Sequence, residues 1–228
     1  MISIHQLYKI YHRGAESVEA VSGIDLEIKK GEFVVILGPS GGGKSTLLNL
    51  MGGIDHPTSG TVTINGFELE KASEESLTRF RRDHIGFVFQ FYNLLSALNA
   101  VENVSLPLMA KGVSFKQANL KAVQILTRVG LQNRLNHLPS QLSGGEQQRV
   151  AIARAIIAEP ELILADEPTG DLDSMTAREI STLMHEFNQQ MGLTFVVATH
   201  NLRIAENADR VFELRDGKIQ LNHNDKTG

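Results

Sequence analysis

The sequence predicts an α/β fold with an antiparallel β region first, a core of short buried parallel strands, and a helical block inserted between two of those strands. Three observations carry this. Short apolar runs at 33–37, 85–89, 162–165, 195–198 and 211–214 have the length and composition of buried strands. Residues 2–28 alternate apolar and polar instead, as half-buried antiparallel strands do. Between 91 and 159 no such run occurs and the pattern is helical. The expected organisation is a single domain over 1–228, with 1–90 and 160–228 forming the β-containing core and 91–159 a helical subdomain.

Each element has a local reason. Ile2, Ile4 and Leu7 begin the alternation, and Val18, Ala20, Ile24, Leu26 and Ile28 continue it. Tyr11 is expected on or beside the loop between the two runs. Lys29-Lys30-Gly31-Glu32 reads as a turn into the strand Phe33–Leu37. Pro57–Gly60 is a turn, Thr61–Ile64 a strand, and Asn65-Gly66 a hairpin signal. Residues 72–83 are polar and helical, with Arg79, Arg81 and Arg82 as the dense basic patch, best read as a solvated helix face. Ile85–Phe89 is a strand ending at Gln90. Ser114-x-x-Gln117 is expected to form a capping box, followed by a helix with Phe115, Ala118, Ala122, Ile125, Leu126 and Val129 on one face and Gly130 at its end. Ser143-x-x-Glu146 is a second box, and its helix should run to about Ala158, where Pro160 stops it. A helix around 175–190 follows the strand Leu162–Ala165. Asp216-Gly217 turns into Lys218–Gln220, and the polar tail 222–228 is expected to fray.

Composition excludes several classes. The net charge of −4 argues against a nucleic-acid binder held by a basic face. There is no cysteine, hence no disulfide framework or thiolate metal site. No export signal is visible, and no apolar stretch approaches the roughly 18–20 residues that cross a bilayer. Any membrane role is expected to come through a partner.

The chemistry starts at Gly38-Pro39-Ser40-Gly41-Gly42-Gly43-Lys44-Ser45-Thr46. This is G-x-x-x-x-G-K-[ST] between a strand and a helix, the context in which the pattern binds phosphate. Glycines at 38, 41, 42 and 43 let the backbone close round an anion, and the helix N-terminus aims its amides at it. Lys44 would reach the β- and γ-phosphates and Ser45 would ligate Mg²⁺; Ser40 and Thr46 complete the candidate binding set. Asp166-Glu167 ends an apolar strand, where open parallel sheets place ligands. Asp166 suits Mg²⁺ held through its hydration shell, and Glu167 a water in line with the γ-phosphate. His200 ends another strand and could bond the γ-phosphate. Gln90 could touch Mg²⁺ or the attacking water. Taken alone, His200 reads better as a satisfied loop histidine and Gln90 as a polar strand end.

Leu142-Ser143-Gly144-Gly145-Glu146 makes a second glycine-rich helix N-terminus, another anion site by the same logic. One reading is a plain capped helix in a monomer. The other is a twofold dimer in which Ser143, Gly144 and Gly145 of each copy close on the nucleotide of the other.

Together, Gly38–Thr46, Gln90, Leu142–Gln148, Leu162–Glu167, Asp171-Leu172-Asp173 and His200 resemble, in order, the Walker A, Q-loop, signature, Walker B, D-loop and H-loop motifs of ABC transporter ATPase subunits. The resemblance covers essentially the whole chain. It implies a P-loop NTPase fold with a RecA-like core, ATP and Mg²⁺ as cofactors, and ATPase activity. It also implies the dimeric reading, a second copy and an integral membrane permease subunit as partners, and a cytoplasmic place on the inner face of the membrane. Tyr11 matches the aromatic that stacks on adenine, though a strand-end tyrosine would look the same. Gly53–Gly60, Phe89–Leu95 and Ala165–Asp173 resemble the lipoprotein-release and macrolide-export group, whose members transmit force to membrane proteins with few transmembrane helices. Gly42 departs from the family's usual serine and Asp171 from this group's frequent asparagine. The apolar residues of Phe91–Leu95 are expected to dock a membrane partner. Two alternatives stand beside transport. A non-transport complex signalling across the membrane would use the same cycle. A soluble ATPase acting on DNA or ribosomes would usually carry a coiled-coil insertion or a second ATPase domain.

Overall fold

The computed structural model describes residues 1–14 and 16–221; the expected frayed tail 222–228 lies outside them. Two sheets form. The first is antiparallel, in the order β2 (Glu16–Ile28), β1 (Ile2–Arg13), β4 (Ser59–Ile64), β5 (Phe67–Glu68). The Asn65-Gly66 hairpin joins β4 to β5 with both residues left-handed, at φ 50° and 82°, the backbone that makes this dipeptide the favoured two-residue turn. Tyr11 lies inside β1, paired with Val18, rather than on a loop. The strands run further toward their hairpin than the alternation of apolar residues suggested, because both faces are exposed there.

The second sheet has the order β10-β9-β3-β8-β7-β6. Its members are β3 (Phe33–Leu37), β6 (Ile85–Val88), β7 (Leu162–Asp166), β8 (Thr194–Thr199), β9 (Arg210–Arg215) and β10 (Lys218–Leu221). β9, β3, β8, β7 and β6 are parallel, and β10 returns antiparallel at the edge. The strand alternation separates two apolar layers. Phe33, Val35, Ile163, Ala165, Phe195 and Val197 face one, while Val34, Ile36, Leu162, Leu164, Val196 and Ala198 face the other. The first layer packs under α3 (Ala100–Ala110), α4 (Phe115–Arg128), α5 (Gly144–Ile156) and α6 (Ser174–Met191). The second packs under α1 (Lys44–Met51), α2 (Glu74–His84) and the antiparallel sheet. At roughly 1.5–3 kcal/mol for each large side chain buried, these layers are the main cohesive term.

The helical block differs from expectation in three places. α3 is not apparent from periodicity, because Pro107 lies inside it; its Asn99–Glu102 capping box is complete in the structure and was readable. The box expected at Ser114 does not form. Ser114 caps α4 by position only, its hydroxyl bonding the Gln117 side chain. Phe115, placed on the buried face of α4, is exposed, because it stands in the first turn before that face meets α3 and α5. The short helix α7 (Leu202–Ala205) follows β8. Gly130 adopts φ 80° just beyond α4, as a helix stop requires.

Candidate functional site

The carboxyl ends of adjacent parallel strands share one edge of the sheet. β3 delivers the glycine loop, β7 Asp166 and Glu167, β8 Thr199 and His200, and β6 leads into Gln90. The loop geometry depends on glycine. Gly43 caps α1 at φ 97°, and a Cβ there would lie 2.2 Å from the Ala20 carbonyl oxygen. No side chain caps α1 and no acid stands in its first turn, so its N-terminal dipole is unopposed by its own helix.

Lys44 is buried, and its Nζ donates to the carbonyls of Gly38 (2.8 Å) and Pro39 (3.0 Å) while lying 3.2 Å from Glu167 Oε1. Glu167 Oε2 accepts from Thr199 Oγ1 (3.0 Å) and the His200 amide (3.3 Å) and pairs with His200 Nδ1 (3.0 Å). Burial pushes the Glu167 carboxyl up, but the bonds and charges of His200 and Lys44 outweigh it and hold it below the usual range. Glu167 has φ 43°, a left-handed backbone costing about 1 kcal/mol in a non-glycine residue. Its amide bonds the Ala198 carbonyl. The fold thus keeps a strained carboxylate aimed at the loop.

Asp166 has the opposite balance. Burial raises its carboxyl above the usual range, with Ser45 bonding it in opposition. Its Oδ1 is buried without a hydrogen-bond partner. A buried carboxylate oxygen lacking a donor, beside a serine hydroxyl, is a donor set that a hard cation satisfies. Ser45 and Asp166 therefore fit Mg²⁺.

α5 opens with the second glycine pair. Ser143 Oγ accepts from the Glu146 amide (3.3 Å), and Glu146 Oε2 accepts from the Ser143 amide (2.8 Å). Arg134 holds the other Glu146 oxygen at 2.7 Å. The Ser143 amide bond and Arg134 keep the Glu146 carboxyl below its usual range against the effect of burial. The box leaves the amides of Gly144 and Gly145 outside it. A Cβ at 145 would collide with Thr176 Cγ2 at 2.5 Å, and one at 144 would lie 3.0 Å from Tyr92 Oη, so that the tyrosine would have to shift.

A family profile described as "ABC transporter" matches residues 21–170. The chain belongs to the ABC transporter family. It is an ATP-binding, ATP-hydrolysing subunit of that family. Among its relatives is the "Lipoprotein-releasing system ATP-binding protein LolD" of Legionella pneumophila (strain Lens), 48% identical over 96% of each chain. Another is an uncharacterized ABC transporter ATP-binding protein of Thermotoga maritima, 48% identical over 96% of this chain and 94% of that one. Among solved structures, a dimeric ATP-binding cassette in a post-hydrolysis state bound to ADP and Pi superposes with TM-score 0.90 at 44% identity, covering 96% and 97% of the two chains. A dimeric bacterial ABC transporter cassette gives 0.91 at 45% identity with the same coverage.

In this ABC subunit, the glycine loop and the ends of β7 and β8 meet through Lys44, Glu167 and His200. Gln90 lies beside the following turn, where a Cβ at Gly170 would stand 3.4 Å from Gln90 Nε2. Tyr11 is half-exposed. Its hydroxyl donates to Asp55 Oδ2 (2.7 Å), Thr46 bonds it as well, and Lys9 Nζ lies over its ring at 4.9 Å from the centroid. That puts Tyr11 against the first turn of α1. Ser143–Gly145 open α5, and Ser143 bonds Glu146 rather than any of Lys44, Glu167 and His200. Sequence reasoning missed Thr199, whose buried hydroxyl fixes Glu167; a threonine next to a strand-end histidine was the available signal. It also missed Asp55, which anchors both Lys9 and Tyr11. Among the described residues, no helix is long and apolar enough to cross a membrane.

Proposed function

We propose that this subunit powers a lipoprotein-releasing type of ABC complex, as an ATP-dependent homodimer under an integral membrane permease at the cytoplasmic face. Within it, 91–159 acts as the helical subdomain and the rest as the core. The observation that supports the catalytic part best is the Lys44–Glu167–His200 cluster at the end of three adjacent strands.

The roles follow from the geometry. The amides of 41–46, with Lys44, Ser45 and Thr46, bind the triphosphate, and Tyr11 supports the base. Lys44 has two carbonyls and Glu167 as partners, so a γ-phosphate competes for its charge and frees the Glu167 carboxylate. Glu167, kept ionised, then orients and polarises water, and His200 and Gln90 border the phosphate. Ser45 and Asp166 hold Mg²⁺, which when bound neutralises charge building on the phosphate oxygens. Ser143, Gly144 and Gly145 close on the other copy's nucleotide. The 48% identity to the LolD protein supports the lipoprotein assignment. The exposed Phe91 and Leu95, beside a groove of about 360 Å³ lined by Phe87, Phe89 and Pro107, suit docking of a partner's cytoplasmic helix.

The test is capture from membranes with Glu167→Gln and ATP, followed by reconstitution with the captured permease. ATP-driven release of a lipoprotein from vesicles is expected. A permease that couples ATP turnover without any lipoprotein release would overturn the lipoprotein assignment.

A further inference from the structure

Arg154 is a half-buried cation with no carboxylate partner among the described residues. It stands in the last turn of α5, burial lowers its guanidinium below the ordinary arginine range, and no carboxylate pairs with it among the described residues. A partly desolvated cation with no counter-charge needs other groups to satisfy its donors. Here two backbone carbonyls do: Nη1 donates to Asn93 O at 2.6 Å and Nη2 to Tyr92 O at 2.7 Å.

The turn that Arg154 grips is itself strained. Tyr92 and Asn93 are consecutive left-handed residues, at φ 60° and 47°. Such a pair persists only where its surroundings over-determine it. The far end of the same loop is tied to α3, where Asn103 donates to Leu95 O, Leu98 O and Asn99 O and accepts from the Leu95 amide. Phe91 remains outside, 72% exposed. At the other end of α5, the Tyr92 hydroxyl lies 3.0 Å from where a Cβ on Gly144 would stand, so the loop borders the helix at its first residue and bonds it in its last turn. A helix of 13 residues spans about 20 Å as one rigid body.

We infer that Arg154 is a positioning residue that locks the loop Phe91–Leu95 to α5, so that seating of the α5 N-terminus on the partner copy's nucleotide moves the loop as part of the same body. The bidentate fork matters: lysine is a point donor and reaches one carbonyl at a time. The inference rests on the dimeric reading above and adds the residue through which closure reaches the docking loop.

Hydrogen exchange of the peptide spanning 89–98 tests it in the intact chain carrying Glu167→Gln, with and without ATP and Mg²⁺, while size exclusion reports dimerisation on the same samples. With Arg154, ATP is expected to slow exchange of this peptide by about tenfold or more. In Arg154→Met, the dimer still forms but the ATP-dependent slowing disappears; Arg154→Lys keeps part of it and serves if the methionine variant does not fold. A purely structural staple would raise exchange equally in both states and leave the ATP-dependent difference intact, which overturns the inference. So does an unchanged peptide in both variants. Absence of an ATP dimer even with Arg154 present would instead remove the dimeric reading itself, and the inference with it.

Discussion

The two glycine-opened helices, α1 and α5, look alike in sequence and are built differently. α1 begins at a left-handed Gly43 with no cap and no acid, and Lys44 stands buried at its first position. The helix end itself favours an anion, with Glu167 of β7's end as the acid that faces Lys44. α5 begins at Ser143 with a completed capping box, and Glu146 brings a negative charge into the first turn. Part of its dipole is already answered from within. The difference matches the division of labour proposed above, in which α1 is expected to bind phosphate unaided and α5 only when another subunit presents it.

That contrast can be broken from either side. The largest loss of nucleotide affinity is expected at α1. In Gly43→Ala a Cβ would meet the Ala20 carbonyl and the left-handed backbone would be strained, so the loop must open; ATP affinity should fall by about a hundredfold or more, read by fluorescent-nucleotide titration of the monomer. Next comes Glu167→Gln. Turnover should drop about 10²–10⁴-fold with ATP binding preserved, and the ATP-bound dimer should accumulate on size exclusion. Ser143→Arg should leave nucleotide binding by the monomer within about twofold but abolish the ATP dimer; equal loss of both would erase the distinction between the helices. Tyr11→Ala should weaken ATP by several-fold, from about 0.5–1.5 kcal/mol of ring contact, while Tyr11→Phe, which keeps the ring and loses the hydroxyl's bonds to Asp55 and Thr46, binds nearly normally.

The smallest effect concerns the box itself. Because the Glu146 carboxyl is lowered in the folded state, its contribution is fully present above the ordinary glutamate value. It is lost as pH falls through the lowered folded value. Melting curves from pH 7 to 3 should show wild type losing an advantage of about 1 kcal/mol over Glu146→Gln. A constant gap over that range would mean that the carboxylate charge adds nothing.

The parts legible in the sequence were those whose cause is local. The loop 38–46, the strand runs ending at Asp166, Gln90 and His200, and the Ser143 box all depend on residues a few positions apart. What escaped depends on distance or on conflicting signals. Pro107 masked α3 although Asn99 and Glu102 announced its start. Ser114 and Gln117 have the right spacing for a box, yet their side chains bond each other instead of the backbone. The Lys44–Glu167 and Arg154–Tyr92 contacts join residues 123 and 62 positions apart, and no pattern along the chain encodes them. At Gly42, where the family resemblance implies serine, a Cβ would stand 3.1 Å from Pro39 O, a close fit set by a residue three positions earlier.

Because the chain contains no cysteine, the central claim can be tested by one crosslinking measurement. Two single-cysteine proteins in the Glu167→Gln background, Ser143→Cys and Ser40→Cys, are mixed and treated with a short bifunctional maleimide. Heterodimers should crosslink with ATP and Mg²⁺ present and not without them. An ATP dimer that forms but never joins position 143 of one copy to position 40 of the other would contradict the shared-nucleotide account.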